Sequence, residues 1–285
     1  MMSSDKDASM SNIESDPMHP SYSSGQSYLL NEQYKDAANL NARVQLHERF
    51  GTNSYDWQRW VFDQIKAGKK SRVLEIGCGP ARLWLNNFDR IPKGWRITLS
   101  DFSPGMLQEA QQNLRAVRHD FIFQQFDAQS IPFKDKSFDV VIANHMLYHV
   151  PDLNKALSEI RRILALKGRF YAATNGLHHL REIGDLVRRV EPSYQTGHVP
   201  RDYFNLEHGA EDLSRWFSHV TVHVVDDGLV VTETEPLIAF ILSMPVQSFM
   251  TDEKLQRLRE SMEQDIKTNG AICITKSTGI FEALK

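Results

Sequence analysis

Two glycines one residue apart, Gly77 and Gly79, close the segment VLEIGCGP at residues 73–80. Val73, Leu74 and Ile76 are β-prone and bracket Glu75, so the segment predicts a short buried strand. It ends where the glycines remove side-chain bulk and let a ligand approach the backbone. A dinucleotide fingerprint would need glycine five positions beyond Gly77, where Arg82 stands, and a P-loop would need Gly-Lys-Ser/Thr there. Both phosphate readings therefore fail. What remains is a ligand without phosphates, held through backbone amides at a strand end, with acidic groups such as Glu75 to meet its cationic or hydroxyl groups. Asp101 closes a second apolar stretch. Farther on, His145 and His149 flank Met146, Leu147 and Tyr148, and a neutral imidazole can accept a hydroxyl or amine proton near pH 7. Cys78, between the glycines, reads as a small filler and not as a nucleophile. No cluster of His, Asp and Glu has metal-ligand spacing, so no metal is expected.

The elements that would position these residues alternate in type. Strands are expected at 72–76, 95–100, 120–126, 138–143 and 168–174, and helices at 80–88, 103–116 and 152–165. That order implies a parallel sheet with helices on both faces. Ser103-Pro104 is an N-cap and first-turn pair, and Ala156, Leu157, Ile160, Ile163 and Leu164 form a stripe that Gly168 would close. Before the glycine loop, residues 28–69 read as an N-terminal helical lid, with Trp57, Trp60, Val61 and Ile65 on one face of its second helix. Residues 1–27 lack periodicity and read as a disordered tail. Residues 177–217 carry Gly, Pro, His and Arg without strong periodicity and read as an insertion over the carboxyl edge of the sheet. The rest of 70–285 would complete the domain, with HVTVHVV (219–225) and AICITKSTGIFEALK adding antiparallel strands and helices near 236–244 and 252–266 between them.

Composition narrows the function classes. The chain has 285 residues, 41% hydrophobic and 24% charged, enough for one large globular domain with an appended lobe. A formal net charge of -3 lacks the basic excess of a protein that holds many nucleic-acid phosphates. Only Cys78 and Cys273 are present, which fits a reducing cytoplasm. The longest apolar run, PLIAFILSM from 236, falls short of the ~20 residues of a membrane span, so a cytoplasmic protein without a membrane partner is expected.

With these motifs in order, the chain resembles the class I S-adenosylmethionine-dependent methyltransferases, in particular the small-molecule group related to the ubiquinone and menaquinone C-methyltransferases. The resemblance runs from about residue 70 to 176. VLEIGCGP is similar to that family's glycine motif, LSDFSPGML to its acidic second-strand end, QFDAQSIPF to its adenine-side motif, and FDVVIANHMLYHVPD to its fourth strand and following turn. The resemblance implies a Rossmann-like, seven-stranded, mostly parallel sheet and S-adenosylmethionine as cofactor. It places Asp101 on the two ribose hydroxyls, with Phe102 and Met106 beside it, Asp127 on the adenine amino group and the Ala128 N–H on a ring nitrogen. Glu75 would orient the methionine ammonium, close to Asn144 and above Gly77 and Gly79. In similar enzymes the N-terminal helices close over the cofactor, so Tyr34 could cover the sulfonium and Arg43 could hold the methionine carboxylate.

The resemblance leaves the acceptor open. Methyl transfer from a sulfonium is an in-line displacement, so alignment and desolvation dominate and a base is needed only if the acceptor carries a proton. In relatives the histidine before VPD braces the turn, which would make His149 structural and leave His145 facing the acceptor. Base-modifying amino-methyltransferases carry two prolines after Asn or Asp at this point, whereas this chain has Asn144-His145-Met146, against a nucleic-acid substrate. The insertion sets His178, His179, Arg181, Arg188, Arg189, His198 and Arg201 against Glu182, Asp185 and Glu191. Such a mixture is usually solvated helix surface, but it could receive an acceptor bearing a carboxylate or phosphate. The expected function is methyl transfer to O, N or C of a small metabolite. The alternatives are a cofactor-bound cyclase without net methyl transfer, or a cofactor-sensing binding protein.

Overall fold

The computed structural model describes residues 38–194 and 203–285. The expected tail, Tyr34, His198 and Arg201 lie outside the described residues. The elements follow as α1 (Ala38–Phe50), α2 (Trp57–Gln64), β1 (Arg72–Ile76), α3 (Arg82–Leu85), β2 (Arg96–Asp101), α4 (Pro104–Leu114), β3 (Phe121–Gln125) and β4 (Phe138–Asn144). After them come α5 (Leu153–Ile163), β5 (Leu164–Asn175), α6 (Arg181–Arg188), α7 (Gly209–Ser214), β6 (Ser218–Val225) and β7 (Gly228–Val231). The chain ends with α8 (Thr234–Leu242), α9 (Asp252–Asn269), β8 (Ile272–Thr275) and β9 (Thr278–Leu284). Seven strands form one sheet in the order β3-β2-β1-β4-β5-β9-β6, and β7 pairs with β8 apart from it. β1 to β5 run parallel, and β9 joins antiparallel to both β5 and β6.

Alternation along the strands supplies a core on each face of this sheet. Val140 and Ile142 of β4 pack with Val73, Leu99 and Leu107 beneath α2 and α4. Val141 and Ala143, one residue out of phase, pack with Leu74, Leu157 and Ile160 beneath α5. The expected cap forms: Ser103 accepts from the Met106 N–H at 3.3 Å with Pro104 in the first turn; at α5, Asp152 likewise accepts from the Lys155 N–H at 2.9 Å.

A third core belongs to neither face. Leu46 and Phe50 of α1 meet Ile183, Leu186 and Val187 of α6, Leu237 and Ile241 of α8, Met262 of α9 and the inner residues of the β7–β8 pair. α1 and α2 therefore part company: α1 packs on α8 in this lobe, and α2 lies against the sheet. The segment read as lacking periodicity contains α6, whose buried Ile183, Leu186 and Val187 tie it into the lobe.

Two element boundaries differ from the sequence reading, each for a local reason, and the C-terminal antiparallel strands divide between two sheets. The helix expected at 80–88 is a single turn, because Ala81 takes a left-handed φ of 61° and starts it late. Gly168 does not close α5, which stops at Ile163. It sits instead at an irregularity of β5 beside Lys167 (φ 63°), where an added Cβ would lie 2.9 Å from the Ala165 carbonyl. AICITKSTGIFEALK forms two strands in two different sheets, β8 with β7 and β9 with β5 and β6, so that Lys276 and Ser277 form the link between lobe and sheet.

Candidate active site

The carboxyl ends of β1, β2 and β4 open into a cavity of about 1280 Å³ that continues beneath the lobe. At its sheet end Gly77 and Gly79 both take left-handed φ, 67° and 52°. A Cβ on Gly77 would lie 2.7 Å from the Met146 Cβ, whereas one on Gly79 would meet no described atom within 4 Å. Gly77 is thus required by packing, and Gly79 leaves backbone bare toward the cavity.

Glu75 is 2% exposed, and its two carboxylate oxygens accept from the Trp84 indole N–H at 2.6 Å and the Asn144 side-chain amide at 3.2 Å. Burial pushes its pKa up to about 8, against the pull of those two donors. The other polar atom of Asn144, Oδ1, is buried with no hydrogen-bond partner among the described residues. Asp101 ties the second strand end to the glycine loop, accepting from the Gly79 N–H at 2.9 Å and the Ser103 N–H at 2.8 Å. Burial raises its pKa, opposed by these backbone donors. Phe102, Met106, Asp127 and Ala128 line the same end. The Asp127 carboxylate accepts from the Gln129 backbone N–H at 2.8 Å and from its side-chain amide.

The histidines occupy the middle and far end. His145 follows β4 with a left-handed φ of 51°, and its ring lies 5.4 Å from that of Trp57. Burial and the nearby Lys276 charge lower its pKa to about 4. His149 lines the cavity one turn later, on the single turn Leu147–His149, with its ring against Tyr148. Arg43 also lines the cavity, and its guanidinium donates to the Ser243 hydroxyl at 3.0 Å and the Ser243 carbonyl at 2.7 Å. Of the insertion's charges, Arg188 pairs with Asp185 and Arg189 with Asp265 on the surface, while His178, His179 and Arg181 reach the cavity. Among the described residues no group of three His, Cys, Asp or Glu is arranged to hold a metal ion, and no helix is long and apolar enough to cross a membrane.

Comparison with known families identifies the middle of the chain. A family model described as a methyltransferase domain matches residues 74–172. That segment belongs to the methyltransferase domain family. A demethylmenaquinone methyltransferase of Desulfitobacterium hafniense is 33% identical over 151 residues, 52% of this chain and 54% of its own. The chain thus spans about half the length of the curated relatives it matches. Among solved structures, the [4+2]-cyclase SpnF is similar at a TM-score of 0.57 and 17% identity, over 94% of this chain and 97% of that one. A Haemonchus contortus phosphoethanolamine N-methyltransferase 2, in complex with phosphomonomethylethanolamine and S-adenosylhomocysteine, is similar at 0.56 and 18%, over 93% and 60%. These two likenesses establish the fold, which one protein named a cyclase and one named an N-methyltransferase share.

Residues 74–172 contribute Glu75, Gly77, Gly79, Asp101, Asp127, Asn144, His145 and His149 to the cavity wall among others, α2 contributes Trp57 and Trp60, and the lobe contributes His47, His179 and Phe240 among others. Sequence reasoning missed Trp84, whose indole holds Glu75. The available signal was a tryptophan in a short helix above an acidic strand residue, since a buried indole N–H needs an acceptor. It also missed His47, Asp227 and Lys276, which line the cavity from α1, the β6–β7 turn and the β8–β9 link. No local spacing relates those three.

Proposed function

We propose that the protein is an S-adenosylmethionine-dependent enzyme that transfers a methyl group to an O, N or C atom of a small molecule. The observation that carries this reading is the convergence of Glu75, Gly79 and Asp101 at one end of a cavity with ample room for a second ligand. The donor set fits the cofactor. Glu75 offers a carboxylate to an ammonium, and the unpartnered Asn144 Oδ1 beside it is a second acceptor for the same group. Each Asp101 oxygen accepts one backbone N–H and keeps a lone pair for a ribose hydroxyl. Gly79 leaves the space that a Cβ would fill, and Asp127 and Ala128 stand where an adenine edge would lie. When bound, the cofactor supplies an electrophilic methyl on a sulfonium.

The chain's own contribution is alignment and exclusion of water. Trp57 and His145 wall the cavity between the glycine loop and the lobe. His145, held neutral, is the group placed to take a proton from a hydroxyl or amine acceptor, and His149 braces the turn behind it. The relative named a demethylmenaquinone methyltransferase and the solved structure holding S-adenosylhomocysteine both favour this reading.

Calorimetry with S-adenosylmethionine and S-adenosylhomocysteine tests the cofactor, and mass analysis of products from an acceptor panel tests the transfer. Heat with both ligands and a product heavier by one methylene are expected. Binding of NAD or ATP in place of either ligand would refute the cofactor assignment, and turnover to a product of unchanged mass would refute methyl transfer.

A further inference from the structure

The lobe end of the cavity carries more ionisable chemistry than alignment of a neutral acceptor requires. His179, in the turn before α6, accepts at Nδ1 from the Ser277 N–H at 3.2 Å. Its proton therefore sits on Nε2, which becomes a donor. His47 stands against it with ring centroids 6.3 Å apart, and its Nδ1 is buried with no partner among the described residues. The Lys276 side chain is 11% exposed and pairs with Asp227. That carboxylate is already served at Oδ1 by the Asn53 N–H at 3.0 Å, the Gly228 N–H at 2.8 Å and the Thr52 hydroxyl at 3.2 Å. Among the described residues Asp227 is the only hydrogen-bond partner of the ammonium, so two of its three N–H bonds remain for a ligand.

The local field is dominated by Lys276, with Asp227 partly opposing it. Burial first, and then the Lys276 charge, lower the pKa of His47 to about 4, with Arg43 adding to the effect and Asp227 opposing it. His179 is pushed well below its usual value by burial, by His47 and His145, and by Lys276. Three imidazoles are thus neutral near pH 7 around a sequestered ammonium. A cationic ligand would be repelled there. A neutral ligand could meet the ammonium's remaining donors only with an uncharged acceptor, whereas an anionic oxygen would form charge-assisted hydrogen bonds with them in a place where water screens little.

We propose that this end of the cavity is the acceptor subsite and takes a ligand bearing a carboxylate or phosphate, with Lys276 as its countercharge and His47 and His179 as hydrogen-bond partners. Calling the ligand an acceptor rests on the methyl-transfer reading; the anion site itself does not.

The test uses the full chain, with and without S-adenosylhomocysteine, and three probes of one shape: 2-naphthoate, 2-naphthyl phosphate and neutral 2-naphthamide. At least one anion is expected to bind tenfold or more tighter than the amide, and the tighter of the two names the group. Lys276→Met should remove that preference while leaving affinity for S-adenosylhomocysteine within twofold. Because that variant strands Asp227, Lys276→Met with Asp227→Asn is measured beside it. The introduced amide keeps the oxygen that the Asn53, Gly228 and Thr52 donors need, so this pair removes both charges with little cost to the turn. Equal binding of amide and anions, no anion binding at millimolar concentration, or an anion preference that survives in the double variant would each overturn the subsite. Loss of S-adenosylhomocysteine binding in the wild type would instead strike the cofactor reading, and the probe series on the protein alone would still decide the anion site.

Discussion

Glu75 is uncharged in the ligand-free protein near neutral pH, because burial pushes its pKa up to about 8. An ammonium that binds between Glu75 and Asn144 needs the carboxylate ionised, so binding must release a proton whenever the pH lies below that value. Each pH unit then costs about 1.4 kcal/mol, or tenfold in affinity. Between pH 5.5 and 7, where the ligand's ammonium stays charged, the association constant of S-adenosylhomocysteine should rise roughly thirtyfold. Calorimetry in two buffers of different ionisation enthalpy should count close to one proton released per ligand. Glu75→Gln should flatten this profile, since an amide does not titrate. It should fold, because Asn144 can rotate its side chain and use the unpartnered Oδ1 to accept from the introduced amide. The sign for stability is opposite to that for binding. A carboxyl whose pKa is raised on folding contributes fully below its unfolded value of 4.5 and loses that contribution as the pH rises through about 8. The ligand-free variant should therefore gain stability relative to wild type as the pH is raised from 5 to 9. A wild-type affinity independent of pH between 5.5 and 7, with no proton released, would show Glu75 already ionised and refute the desolvation argument.

The two glycines should fail differently. Gly77→Ala meets Met146 at 2.7 Å on top of a left-handed φ and should lose more than the backbone strain alone, up to about 3 kcal/mol in a denaturant melt, whereas Gly79→Ala should lose only the about 1–2 kcal/mol of the left-handed φ yet abolish cofactor binding in calorimetry. Equal destabilisation by both would show that Gly79 faces protein and not ligand. Asp101→Ala should weaken the cofactor and also cost about 1–3 kcal/mol of stability, because the Gly79 and Ser103 N–H groups lose their acceptor. Asp101→Asn keeps one accepting oxygen and should recover much of the melt without recovering the affinity; an unchanged affinity in either variant would remove Asp101 from the site. At saturating cofactor and with an acceptor that loses a proton, kcat should show no acid limb near pH 6–7, since His145 titrates at about 4. His145→Asn, which suits the left-handed backbone, should lower kcat by ~10²-fold or more. A limb near 6.5 that vanishes in the variant would mean that the imidazole is solvated during turnover.

The two ends of the cavity were unequally legible for a physical reason. At the cofactor end each requirement falls on a residue and its near neighbours. The left-handed turn demands glycine at 77, where Met146 packs, and at 79, where backbone faces the cavity, and the acids at 75 and 101 stand at or beside the ends of parallel apolar strands that open at the same sheet edge. Such requirements leave a readable trace in a handful of adjacent letters, and the sheet order follows from the alternation of strands and helices. The lobe end is assembled otherwise. His47 sits on a polar helix, His179 in a stretch whose hydrophobic stripe begins only at Ile183, and Lys276 in a run of β-prone residues whose letters do not show which sheet each part joins. Their meeting depends on that run breaking at Lys276, so that β8 pairs with β7 in the lobe and β9 enters the sheet. A break of two residues between strands of similar composition carries no periodic signal, and yet it sets the one sequestered ammonium among the described cavity residues against three histidines. The glycine-loop end of the cavity is thus specified by local backbone chemistry. The chemistry that would choose an acceptor depends on how the lobe is threaded through the sheet, so a family match over 74–172 alone cannot carry it to this chain.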